Sequence, residues 1–242
     1  MSDHLPADFR PPGDQENPFA APETQDEVAS RYWTTDPDKE FQPFKTIWTR
    51  PRATVRKIIS VDPALHVVVL VCLSGIGSSL DRASLQNSGN TMPLLVTIGL
   101  AIVFGPLAGL FGLWLFSHLV VITGGLLGGF GNREYVKTAL AWATVPSLVA
   151  LALWVPYLIF LREEMFTSET PNFDSKLYVS VPTIGLAAME FILGLWEIVL
   201  LCNTVAEVQG YRSAWQGLLN LILAGLLLLL PLILISIVFV LT

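Results

Sequence analysis

The chain has 242 residues, 52% of them hydrophobic and 14% charged, with a formal net charge of −6 and a mean hydropathy of +0.58. That composition excludes an ordinary soluble domain. The placement of charge excludes it more firmly, because no Lys, Arg, Asp or Glu occurs between Arg82 and Arg133, between Lys137 and Arg162, or from Ala214 to Thr242. Apolar runs of this length read as spanning helices. The expected fold is an all-α integral membrane protein, a bundle of five transmembrane helices preceded by a short interfacial helix.

Residues 1–43 are expected to form a disordered, acidic, Pro-rich tail. Met1 to Glu40 hold ten Asp or Glu, three Lys or Arg and six prolines. Such a segment buries too little apolar area to offset the entropy of ordering. It has no basic stretch followed by an apolar core, so it does not read as a signal peptide. Its acidity makes it the surface on which a protein partner is expected.

Phe41 to Ile59 follows, with apolar residues interleaved among Lys45, Arg50, Arg52, Arg56 and Lys57. After Pro51 the spacing predicts a short helix with one apolar and one basic side. Trp48, Arg50, Arg52, Arg56 and Lys57 are the residues expected to contact a lipid surface, with anionic headgroups as the partner. A nucleic-acid role for this patch is set aside, because the segment runs straight into the first span at Pro63.

The five spans are expected at about residues 63–80, 93–119, 138–161, 178–202 and 217–241, within residues 44–242 as one membrane domain. Glycines from Gly124 to Gly131 predict a flexible turn after the second span. Pro146, Pro156 and Pro231 fall inside spans, where each removes a backbone donor and can bend its helix. With the N-terminus in the cytoplasm, eight Lys or Arg flank spans on the inside and three on the outside. This bias predicts a cytoplasmic N-terminus and an external C-terminus.

Three features stand out within the spans. Ala101, Gly105 and Gly109 recur at four-residue spacing, a pattern that lets backbones approach closely. A helix contact within the chain is the favoured use of that seam, and a homo-oligomer the alternative. Glu190 and Glu197 lie seven residues apart, within roughly 20° of each other on one face and ~10 Å apart along the axis. Their cost in lipid turns them towards other helices or water, with His66, His118 and Asn220 as candidate partners. They mark either a proton or cation path or a hydrogen-bonded pair that fixes packing.

No catalytic residue, cofactor site or metal site is expected. The sequence has no Walker loop, HExxH, GxSxG or CxxC, and Cys72 and Cys202 read as small packing residues.

Three stretches together resemble the Yip1-domain family. They are "FKTIWTRPRATVRKII" ahead of the first span, "GGFGNREYVKTALAWATVPSLV" with Ala143 and Pro146, and "LGLWEIVLLCNTVAEVQGYRSAW" with Gly194, Trp196, Glu207, Gly210 and Tyr211. The resemblance covers roughly Phe44 to Thr242. It implies a five-span membrane protein with a cytoplasmic N-terminus, and for eukaryotic members Rab-type GTPase binding and vesicle traffic in the ER and Golgi. The Asp-Leu-x-Gly-Pro stretch of those members is missing here, and "TIWTRPR" stands in its place. The resemblance is therefore to the bacterial type, which implies a bacterial cytoplasmic membrane, with ER or Golgi membranes as the alternative. The expected function is non-enzymatic, that of a scaffold, adaptor or membrane organiser. The alternative is a small transporter or channel past Glu190 and Glu197.

Overall fold

The computed structural model describes residues 41–241 in backbone and 41–230 in side chains, so the acidic stretch of residues 1–40 lies outside the described residues. Nine α-helices are described from Gln42 onward, with two 3-10 turns and no strand among the described residues.

Two short helices open the fold, α1 (Pro43–Thr46) and α2 (Pro51–Val61). Each carries proline in its first turn, where the missing N–H has no helical partner to lose. Thr54, Val55 and Ile58 form the buried face of α2. That face packs on the end of the bundle.

The first long helix, α3 (Val67–Leu85), starts four residues later and ends five residues later than the sequence predicts. Pro63 to His66 form a turn instead. The Asp62 carboxylate accepts the Ala64 N–H at 2.9 Å, and His66 adopts a left-handed backbone at φ 55°. The carbonyls of Pro63 and Leu65 accept from Thr138 Oγ1 and Trp142 Nε1, which takes them out of any helix. At the far end the helix runs on past Asp81, whose carboxylate accepts the Trp154 indole N–H at 3.2 Å.

Helix α4 (Leu94–Leu126) has 33 residues and continues through Gly124 and Gly125, where the sequence predicts a turn. The chain turns only after Leu126, with Gly128 at φ 77°. Gly124 is helical because its bare Cα leaves room for a neighbour: an added Cβ would lie 2.6 Å from Cδ of Gln209. Glycine here serves close approach rather than flexibility.

The third predicted span is two helices, α5 (Arg133–Ala143) and α6 (Val145–Phe160), separated at Thr144. Pro146 has no N–H to give the Trp142 carbonyl, and Thr144 donates both its N–H and its hydroxyl to Ala141 O. The Asn132 side chain caps α5 by accepting the Glu134 N–H at 3.0 Å. Val136 and Thr138 to Ala143 are all buried, which makes α5 the central element at its end of the bundle.

The 3-10 turn Arg162–Phe166 and the short α7 (Pro171–Ser175) lead into α8 (Leu177–Val208), and α9 (Ala214–Leu241) closes the chain. One core joins Val120, Val136, Leu140, Val205 and Ala224 from α4, α5, α8 and α9. A second, at the opposite end, joins Leu80, Ala101, Trp154 and Phe166.

Four segments, Val67–Leu85, Leu94–Leu126, Arg133–Phe160 and Leu177–Val208, are long and apolar enough to cross a membrane, and α9 is a fifth apolar helix. Much of their apolar surface faces outward: Phe191 is 68% exposed and Ile192 63%. Contiguous exposure of this kind fits lipid, not water. The fold is that of an integral, multi-pass membrane protein in contact with the bilayer.

Helices α3 and α4 touch through glycine. A Cβ on Gly105 would lie 2.7 Å from Ile76 Cα, and one on Gly109 3.2 Å from Gly75 Cα. Ala101 is buried on the same helix. The small-residue seam of α4 thus faces a helix of the same chain.

Candidate functional site

Helix α8 carries the two stacked acids, and α6 supplies a hydroxyl to each. The Ser147 hydroxyl donates to Glu197 Oε2. The Tyr157 hydroxyl donates to Glu190 Oε2 at 3.1 Å. On α6 the two donors are ten residues apart, or ~15 Å along a helix axis, so the contacts join α6 to α8 at two levels. A third acid belongs to this stack. Asp81 on α3 accepts the Trp154 indole N–H, three residues before Tyr157 on α6.

The partners expected from the sequence lie elsewhere. His66 sits at the α2 end, with its ring 5.8 Å from that of Phe44 and 6.2 Å from that of Trp142. His118 Nδ1 hydrogen-bonds the Trp114 carbonyl of its own helix at 2.6 Å. Asn220 on α9 accepts the Thr123 hydroxyl at 2.5 Å, and its Nδ2 is buried with no hydrogen-bond partner. None of the three meets Glu190 or Glu197 in a hydrogen bond or ion pair among the described residues.

Glu197 also borders an open cavity of about 450 Å³ lined by α3, α4, α8 and the α5–α6 break. Its polar lining is Ser74, Ser78, Ser79, Arg82, Thr144 and Glu197. Glu190 is not part of that lining. The cavity extends past the close α3–α4 contact to Gly112, where an added Cβ would meet nothing within 4 Å.

The basic helix α2 turns two of its cations inward. Arg56 Nη2 pairs with Glu207 Oε1 at 2.6 Å. Arg52 Nε donates to Asn203 Oδ1 at 3.3 Å, and its Nη1 to the Tyr211 carbonyl at 3.2 Å. These bonds tie α2 to the end of α8. Trp48 is half-buried beside them, while Arg50 is exposed and Lys57 half-buried.

The neighbouring turn is held by buried polar groups. Gln209 Nε2 donates to the Val120 carbonyl at 3.0 Å, and Gln209 Oε1 accepts the Gly131 N–H at 2.9 Å. The Tyr211 hydroxyl donates to the Gly124 carbonyl at 3.2 Å, and burial pushes its phenol above the ordinary range, which keeps it a neutral donor.

Among the described residues no three His, Cys, Asp or Glu side chains converge as a metal site would need. The residues that sequence reasoning missed are Ser147, Tyr157, Trp154 and Asp81. Asp81 carried the one available signal, as an acid at the very edge of an apolar run. The Yip1 domain model matches residues 45–235. No curated protein and no solved structure matches the chain.

Proposed function

The chain belongs to the Yip1-domain family, and from that premise we propose that it is a non-enzymatic membrane scaffold or adaptor rather than a conductor of ions. The observation that carries this reading is the use of both stacked acids of α8, Glu190 and Glu197, as acceptors for hydroxyls of α6. An acid committed to an interhelical hydrogen bond stabilises one packing of two helices. A conducting acid must instead exchange its proton or cation with a continuous polar path. Glu190 does not line the polar-walled cavity that Glu197 borders.

In this reading the working surfaces are at the α2 end. Trp48, Arg50 and Lys57 meet anionic headgroups. Arg52 and Arg56 hold α2 on α8 so that this face is presented in a fixed orientation. The acidic residues 1–43 are the segment that engages a protein partner in the cytoplasm. The host membrane is the bacterial cytoplasmic membrane, with the N-terminus inside and the C-terminus outside.

The transport reading has one observation in its favour, the cavity beside Glu197. Flux separates the two. Full-length protein reconstituted in vesicles is expected to pass no protons or monovalent cations above the rate of empty vesicles. Glu190→Gln and Glu197→Gln are expected to behave as the parent does. Flux that the parent supports and Glu197→Gln abolishes would overturn the scaffold reading, because glutamine keeps the shape of the acid and cannot release a proton.

A further inference from the structure

The cavity itself asks for an occupant. Its volume of about 450 Å³ falls in the ~300–1,000 Å³ range of small-molecule sites. It is also not a simple packing gap, which would be apolar and dry. Its lining brings together a carboxylate, the guanidinium of the exposed Arg82 and four hydroxyls.

The two charges sit at different levels. Trp154 of α6 bonds Asp81, the residue before Arg82, and Ser147 of α6 bonds Glu197. Seven residues of α6 separate those levels, or ~10 Å. Glu197 and Arg82 do not pair with each other among the described residues. Glu197 has one oxygen held by Ser147, while Oε1 takes no hydrogen bond from any described residue. An acceptor and a cation therefore face one cavity from two levels, each with capacity left over. Ser74 and Ser78 stand one turn apart on α3 between them.

We infer that this cavity binds a zwitterion in which a primary ammonium and an oxyanion are joined by a short chain. The ammonium lies against Glu197 Oε1 and the oxyanion against the Arg82 guanidinium, with the serine hydroxyls along the chain. A primary ammonium offers N–H donors that a quaternary one lacks. An anion alone satisfies Arg82 and leaves Glu197 unmatched. Two sources share this chemistry, the headgroup of an ethanolamine phospholipid and a free phosphoethanolamine-like solute. The inference stands apart from the scaffold reading, since a site can bind without conducting.

The test uses full-length protein in a mild non-ionic detergent, with bound molecules counted by native mass spectrometry. Phosphatidylethanolamine is titrated against phosphatidylcholine and phosphatidylglycerol. Phosphatidylethanolamine is expected to bind most tightly, and Glu197→Gln to weaken it by about tenfold or more. Gly112→Leu is expected to do the same by filling the space, because its added side chain starts in open volume and leaves the fold intact. Gly99→Leu, also in open space but away from the cavity, is the control and is expected to bind as the parent does. Displacement by millimolar phosphoethanolamine identifies a soluble ligand as the source, and resistance to it identifies the lipid. Equal binding of the three lipids, or parental binding by Gly112→Leu, would overturn the inference.

Discussion

Gly124 and Gly112 lie on one helix, about three turns apart, and do opposite things. A Cβ on Gly124 would lie 2.6 Å from Cδ of Gln209, while a Cβ on Gly112 would meet nothing within 4 Å. At Gly124 the missing side chain is the hole into which a buried amide fits, and that amide closes the turn by bonding Val120 and Gly131. At Gly112 the missing side chain is part of a cavity beside an acid. The same residue in the same helix thus marks a finished polar contact at one level and an unfilled one at another. Glycine in an apolar run does not reveal which of the two it serves. What decides it is whether a partner from another helix occupies the space.

Alanine at each glycine breaks or sharpens that contrast. Gly124→Ala pushes the Gln209 amide away from the Val120 carbonyl and the Gly131 N–H. Each buried polar group left without a partner costs about 1–3 kcal/mol, partly offset by the ~1 kcal/mol that alanine gains over glycine in a helix. A net loss of about 2 kcal/mol is expected, read as a lower unfolding temperature in detergent. Gly112→Ala keeps the helix gain with nothing to clash against, so it is expected to be neutral or stabilising by up to ~1 kcal/mol. Similar losses at both positions would erase the distinction.

The smallest effect is expected outside the spans. Glu164 accepts the backbone N–H groups of Asn172 and Phe173 and the Asn172 side chain, and so fixes α7 to the turn that precedes it. Slight burial raises its carboxyl, but those donors and the Lys176 charge outweigh it and hold the group below the ordinary glutamate range. Because the folded value is the lower one, the carboxylate contributes stability above the unfolded value. That contribution is lost as pH falls through the folded one. Amide exchange at Asn172 and Phe173 is therefore expected to gain less protection in acid than exchange in α8. Glu164→Gln is expected to remove that pH dependence. Protection that stays flat with pH in the parent would contradict the assignment.

Much of the fold was legible in the sequence, because long uncharged runs in a chain this apolar leave few other readings. The misses have local causes. The apolar run of the first span begins at Pro63, yet Asp62, Thr138 and Trp142 claim that backbone for a turn. Glycine reads as a breaker near the end of α4, and only the neighbour at Gly124 shows that the helix continues there. Pro146 did announce a disturbance, and the structure turns it into a break at Thr144. For the site, Glu190 and Glu197 were legible because ionisable residues are costly at that depth. Ser147 and Tyr157 were not, since hydroxyl side chains are common in spans and their pairing follows from which helices are neighbours. Arg52 and Arg56 read as lipid-facing cations for a related reason, because Glu207 and Asn203 lie some 150 positions further along.

The central claim is that the acids of α8 clamp α6 in place. Double-mutant cycles on Tyr157→Phe with Glu190→Met, and on Ser147→Ala with Glu197→Met, measure it most directly through unfolding of the purified protein. These substitutions remove a donor and an acceptor while keeping bulk. A coupling of about 0.5–1.5 kcal/mol is expected within each pair. The crossed pair Tyr157→Phe with Glu197→Met is expected to add independently. Additive losses within both pairs would show that neither acid holds α6 and would contradict the account.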